Sequence, residues 1–239
     1  MFCNIITMAG LGSRFRKAGY NVPKFMITAK EKTLFEWSME SLDDFKQDSK
    51  YIFIIREEAG VEDFIKEKCK EMNIEKYELI KLDHLTSGQA ETAKIAVDKC
   101  APNDEILIYN IDTYIDPKYF KKADIKGDGC IPCFNAPGEH WSFAKTDETG
   151  KVVDVREKVK ISDNASVGAY YFKSAFEYIR VYNEYYKDEA NMEKGERYIA
   201  PMYNQLIKEN KDVRITIIPY EAVKCLGTPE ELDIFINSW

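Results

Sequence analysis

Apolar residues in this chain fall into short continuous runs, separated by stretches with helical spacing. Residues 3–8 form the first apolar run and lead into a glycine-rich turn. Residues 33–45 are predicted to be a helix, with Leu34, Trp37, Ser38 and Leu42 on one face. The run Tyr51-Ile52-Phe53-Ile54-Ile55 is apolar throughout, as expected of a strand covered on both faces. A charge-rich helix is expected over 61–72, a strand over 77–82, a helix over 89–100 and a strand over 106–109. This alternation predicts a mostly parallel sheet flanked by helices. The second half reads differently. Strands are expected at 129–134, 143–146, 152–157 and 167–172, with a hairpin turn at 147–150. Helices are expected at 174–188, 199–209 and 229–239, and a last strand at 213–218. The expected fold is α/β, with a Rossmann-like mixed sheet in one domain over residues 1–239. Residues 1–115 would make a nucleotide-binding half and 116–239 an acceptor-binding half.

Composition narrows the function classes. The 239 residues are 45% hydrophobic and 31% charged, ordinary values for a globular chain. The net charge is -7 and no basic run occurs, which argues against nucleic-acid binding, where phosphate neutralisation dominates affinity. No stretch reaches the ~18 apolar residues of a membrane span. The apolar start lacks a basic leader, so a cytoplasmic location is expected. Six scattered cysteines do not suggest a disulfide framework, and Cys130-x-x-Cys133 has no second pair to complete a metal site. The tyrosines at 178, 182, 185 and 186 sit at helical spacing and read as packing, with a homodimer contact as the alternative.

The chemistry starts at the first turn. Met8-Ala9-Gly10-Leu11-Gly12-Ser13-Arg14 follows the first strand directly. Glycines there let a backbone approach phosphates and aim N–H groups at them. The third glycine of a dinucleotide fingerprint is missing, and so is the P-loop pattern. Arg14, and Lys24 after Pro23, could reach one triphosphate, Arg by forked contacts and Lys as a point charge. A tight turn carrying two solvated cations is the plain structural alternative.

Gly10-Leu11-Gly12-Ser13-Arg14 with Pro23-Lys24 resembles the signature of the sugar-phosphate nucleotidyltransferases, the nucleotide-sugar pyrophosphorylase family. The longer string through Ala18-Gly19-Tyr20 is similar to a branch linked to surface polysaccharide synthesis. Further matches follow in order: Thr86-Ser87-Gly88-Gln89-Ala90, Asn110-Ile111-Asp112, Glu157-Lys158, the segment from Ser166 to Phe172, and Gly227-Thr228-Pro229-Glu230-Glu231-Leu232. The resemblance implies a nucleotide-diphospho-sugar transferase fold. It also implies transfer of NMP from an NTP to a phosphorylated small-molecule acceptor, usually a sugar 1-phosphate, with loss of pyrophosphate. By the same resemblance, Met8 to Arg14 and Thr86 to Gln89 would hold the nucleotide. Arg14 and Lys24 would neutralise phosphate charge, and Asp112 would hold Mg²⁺. Glu157, Lys158 and Gly168 would meet the acceptor. Trp141, Tyr170 and Tyr171 are either acceptor-pocket or core aromatics, with Trp141 the chosen pocket residue.

One departure stands out. Many relatives carry a second metal aspartate in D-x-G-T, where this chain has Cys225-Leu226-Gly227-Thr228. A thiol suits Mg²⁺ poorly, so either Asp112 acts with phosphates and water or another carboxylate substitutes. Within the enzyme class, the rival is cytidylyl transfer to a polyol phosphate, phosphocholine or phosphoamide. Outside it stand a glycosyltransferase, which usually shows D-x-D, and a non-catalytic nucleotide sensor.

Overall fold

The computed structural model describes residues 1–238. Its first half contains β1 (Phe2–Thr7), α1 (Ser13–Lys17), β2 (Thr28–Ala29), β3 (Lys32–Thr33), α2 (Leu34–Glu40), β4 (Ser49–Arg56), α3 (Val61–Glu71), β5 (Tyr77–Leu82), α4 (Gln89–Val97), β6 (Glu105–Asn110) and β7 (Thr113–Ile115). The second half adds β8 (Gly129–Phe134), β9 (Ser142–Thr146), β10 (Val152–Glu157), β11 (Ala165–Ser166), β12 (Ala169–Phe172), α5 (Ala175–Tyr185), α6 (Tyr203–Lys208), β13 (Val213–Ile217), β14 (Val223–Cys225) and α7 (Pro229–Asn237).

One ten-stranded sheet runs β10-β9-β11-β8-β12-β6-β1-β4-β5, with β13 paired to β8. The apolar strand β1 lies between parallel partners β6 and β4, and β5 extends that block in parallel. From β12 onward the neighbours are mostly antiparallel, so the mixed pairing belongs to the second half. Two cores cover the sheet. One contains Phe35, Phe45, Phe53 and Tyr109, and the other Ile5, Ile52, Tyr178 and Tyr203. No described helix is long and apolar enough to cross a membrane.

The expected strands are present, and the helix ends differ for local reasons. The helix expected over 33–45 stops at Glu40 and resumes as a 3-10 turn at Asp43–Phe45. Ser41 marks the break: its hydroxyl bonds the Trp37 carbonyl and accepts the Ile115 N–H. The start of that helix is strong, because Thr33 and Glu36 form a capping box. The 199–209 stretch opens with a 3-10 turn, Ala200–Met202, with Pro201 in its first turn, and the α-helix proper begins at Tyr203. The last helix ends at Asn237, and Trp239 lies outside the described residues.

Cys130 and Cys133 lie three apart in β8, so they face opposite sides of the sheet, one in each core. Burial pushes both thiols up, so this C-x-x-C is packing. Tyr178, Tyr182 and Tyr186 are also buried within the chain, which takes those rings away from any contact between copies.

A third, smaller cluster ties the second half onto the first loop. Trp37 donates to the Ala29 carbonyl at 2.9 Å, and its ring meets Tyr114 and Phe235 edge-on. Trp37→Ala is expected to cost about 3–5 kcal/mol, because it opens a cavity and orphans that carbonyl. Urea unfolding followed by circular dichroism checks this, and a loss below about 1 kcal/mol would contradict the packing account.

Candidate active site

The parallel block sends its chain ends to one edge of the sheet. The loop after β1 carries Met8 to Gly12, the loop after β6 carries Ile111 and Asp112, and α4 starts at Gln89 after Gly88. Lys24, in a 3-10 turn after Pro23, reaches across to this edge. Its Nζ lies 2.6 Å from Asp112 Oδ2, in a pair that is one-fifth to one-quarter exposed. The cation and the carboxylate singled out in the sequence therefore neutralise one another.

Two cavities meet at Asp112. The first, of about 430 Å³, is walled by Met8, Ala9, Gly10, Leu11, Thr86, Gly88 and Gln89, with Lys24 and Asp112 at its floor. That volume is in the ~300–1,000 Å³ range of small-molecule sites. The second, of about 230 Å³, is walled by Arg14, Trp141, Ser142, Glu157, Ser166, Gly168 and Tyr170, and it shares Gln89, Asn110 and Asp112 with the first. Gln89 donates to Thr7 Oγ1 at 3.1 Å and to Asn110 Oδ1, so the wall between the cavities is a hydrogen-bonded unit.

Two glycines are dictated by close backbone approach. Gly88 has φ +139°, and a side-chain carbon there would stand 2.6 Å from the backbone N and O of Arg197. Arg197 N–H donates to the Ser87 carbonyl at 2.7 Å, and its own carbonyl accepts Ala90 N–H at 2.9 Å. Gly168 has φ +81°, and a side-chain carbon there would stand 2.6 Å from Asn110 Nδ2. Gly168 thus leaves room for Asn110, which faces both cavities.

The expected residues do not all stand together. Ser13 and Ser87 wall neither cavity. The Ser87 hydroxyl and N–H both bond Glu91, which fixes the turn into α4. Arg14 faces the second cavity, whereas Arg16 and Gly12 face a third, on the other side of the glycine loop. Successive helical side chains are ~100° apart, so positions two apart point to different sides. Lys158 is left-handed at φ +55° and donates to Tyr198 Oη at 2.8 Å, reaching the second cavity's wall through that tyrosine. Trp141 donates to the Pro137 carbonyl and stacks edge-on with Phe134, presenting the rest of its ring to the second cavity. Tyr171 instead bonds Glu105 at 2.7 Å and packs into the core, away from the cavity.

Sequence reasoning gave no role to Ser142, Ser166, Tyr198 and Glu231, although Ser166 and Glu231 lie in family-matched segments. Glu231 also had a local signal, a Thr228-x-x-Glu231 helix start. Beside Asp112, Cys225 pairs with Thr113 in register. Burial, then Glu231 and Asp112, push its thiol up to about 12, so it stays protonated at neutral pH. Glu231 Oε2 accepts Gly227 N–H at 2.9 Å. A side-chain carbon at Gly227 would stand 3.2 Å from Asp112 Oδ2 and 3.4 Å from Glu231 Oε2, so both carboxylates approach this glycine.

Glu157 is 7% exposed, and burial raises its carboxyl above the ordinary value against opposing help from Ser142 and Lys158. A raised value in the folded state means the protonated form is favoured there. That contribution is complete below the unfolded carboxylate value and is lost as pH rises through the raised one. Glu157→Gln is expected to raise the thermal midpoint by about 2–4 °C at ~pH 8, with no gain at ~pH 4. Calorimetry at both pH values checks this, and an equal difference at both would remove the buried-charge account.

Residues 3–217 match the family described as nucleotidyl transferase. A nucleoside-diphosphate-sugar pyrophosphorylase from Vibrio cholerae RC9 has a similar structure, with a TM-score of 0.90 and 34% identity over 98% of this chain and 99% of that one. The inositol-1-phosphate CTP transferase of T. maritima has a TM-score of 0.74 and 14% identity over 97% and 91% of the two chains, a likeness of fold. HddC from Yersinia pseudotuberculosis is similar in fold, with a TM-score of 0.66 and 19% identity over 98% and 100%. A search of curated proteins gave no match. The cavities at the strand ends, the matched residues and the 34% identical pyrophosphorylase agree, and the chain belongs to the nucleotidyl transferase family.

Proposed function

We propose that the protein transfers NMP from an NTP to a sugar 1-phosphate and releases pyrophosphate. The observation that carries this reading is Asp112, paired with Lys24, at the junction of two cavities. The cavity beside Gly10 and Gly88 suits the nucleotide, with the α-phosphate near Lys24. The cavity beside Arg14 suits the acceptor, whose hydroxyls find Ser142, Ser166 and the Glu157 carboxylate. The Arg14 side chain makes no hydrogen bond or ion pair among the described residues and faces the second cavity, so it is available to the acceptor phosphate or the α-phosphate it attacks. A phosphate monoester is largely ionised at neutral pH, its second pKa being about 6. No general base is required, and the chain's task is positioning and charge neutralisation.

The donor set at the junction fits a hard divalent ion. Asp112 Oδ2 already holds a cation, the Lys24 ammonium, and Glu231 is the second carboxylate nearby. Asp112, with Glu231 in place of the missing aspartate, would hold Mg²⁺, which when bound neutralises phosphate charge. The same hydroxyl-seeking walls suit a cyclic polyol phosphate, and the T. maritima relative named for inositol 1-phosphate and CTP makes that the second acceptor to assay.

Pyrophosphate release is expected from one pairing in a matrix of four NTPs and phosphorylated acceptors with Mg²⁺. Silence across the matrix, sugar 1-phosphates included, would overturn this reading. Arg14→Ala and Lys24→Ala are each expected to lower that rate about 10²–10³-fold while the circular dichroism spectrum is kept. Near-wild-type turnover in both variants would take the loop out of the chemistry.

A further inference from the structure

The third cavity, of about 440 Å³, lies on the far side of the glycine loop and shares Met8, Gly10, Leu11 and Lys24 with the nucleotide cavity. Three cations wall it: Arg16, Lys24 and Arg56. Two of them are engaged. Arg16 holds both oxygens of Glu58, at 2.9 and 3.2 Å, and Lys24 holds Asp112. The side chain of Arg56, the last residue of β4, makes no hydrogen bond or ion pair among the described residues, and its Nη1 is shielded from solvent with no partner. A guanidinium cannot give up its proton to escape this position. Leaving a shielded N–H donor of a charged group without a partner is costly. A site that keeps one is built for an anion that arrives from outside. The two acids on the wall do not fill that role, since Glu58 is taken by Arg16 and Glu57 makes no ion pair among the described residues.

The placement of this cavity names the anion. It rests on the transfer reading above, in which the acceptor oxygen attacks the α-phosphorus in line. The new bond joins that oxygen to the α-phosphorus as the bond to the bridging oxygen breaks, and the electron pair leaves on the pyrophosphate. Nucleophile and leaving group must stand on opposite sides of the phosphorus. Asp112 borders the acceptor and nucleotide cavities, while Lys24 borders the nucleotide cavity and this third one. The order along the edge is therefore acceptor, nucleotide, third cavity. We infer that Arg56 binds the β,γ-diphosphate of the NTP, and afterwards the pyrophosphate leaving group, in the cavity between the glycine loop and the end of β4.

The test is a calorimetric titration with inorganic pyrophosphate and Mg²⁺ on wild type, Arg56→Met and Arg56→Lys, with nucleoside monophosphates as the control. Wild type is expected to bind pyrophosphate competitively with NTP. Arg56→Met should weaken pyrophosphate and NTP about 10–100-fold, the loss of charged hydrogen bonds, and leave the monophosphate unchanged. Arg56→Lys should recover part of that loss. The thermal midpoint of Arg56→Met should equal or exceed wild type, since an unpaired charge has been removed, whereas a merely structural arginine would lower it. Equal pyrophosphate affinity in wild type and Arg56→Met would overturn the assignment. So would simultaneous binding of pyrophosphate and NTP, which would make the cavity a separate anion site. The titration needs no turnover, so silence in the substrate matrix would overturn only the transfer reading.

Discussion

The parallel pairing of β1 with β4 on one side and β6 on the other decides where everything else can go. Parallel strands put equivalent ends at the same edge, so the segments after Thr7, Arg56 and Asn110 emerge together. The register is continuous over six residue pairs on each side, and the Met8 N–H still bonds the Ile54 carbonyl beyond the strand's end. The loop that follows is therefore anchored at its root, and it runs over the crevice that such sheets offer to ligands. The antiparallel second half then supplies a wall, because β12 lies directly against β6 and delivers Gly168 and Tyr170 beside Asn110.

Against that frame the Lys24–Asp112 contact has a clear electrostatic meaning. A part-buried carboxylate and ammonium 2.6 Å apart hold each other in place while no ligand is present. In the proposed reaction a metal-bearing triphosphate would bring a cation for the aspartate and anions for the lysine, so each side chain would keep a partner when this pair opened. Cys225 contributes no charge here, and the balance at the junction falls to Asp112 and Glu231.

Much of this was legible in the chain. Long apolar runs marked the central strands, because a strand covered on both faces has no polar side to interrupt it. Asp112 and Glu157 were marked by the resemblance of Asn110-Ile111-Asp112 and Glu157-Lys158 to family segments; from the chain alone Glu157 reads as part of a solvated charge run. The hairpin of Thr28–Ala29 with Lys32–Thr33 and the pairing of β7 with β14 left no trace, since strands of two or three residues are too short to show a period. Arg14 and Arg16 were not separable in direction until a helix start was fixed at Ser13. Arg56 looked like any cation ending a strand; only the absence of a partner in three dimensions distinguishes it. Tyr198 lies in a stretch without periodicity, and its tie to Lys158 spans 40 residues of sequence.

The segment around Arg197 has a consequence for how this enzyme can change. Its backbone is laced to Ser87 and Ala90, beside the nucleotide cavity, and the next residue receives Lys158 at the edge of the acceptor cavity. The Arg197 side chain is pinned in turn by Tyr182. Under the proposed transfer reading, preference for a base and preference for an acceptor would be recorded in one short ribbon of chain rather than in two separable modules. An engineer who reshaped the loop at Ser87 to admit a different nucleotide would then inherit an altered acceptor cavity.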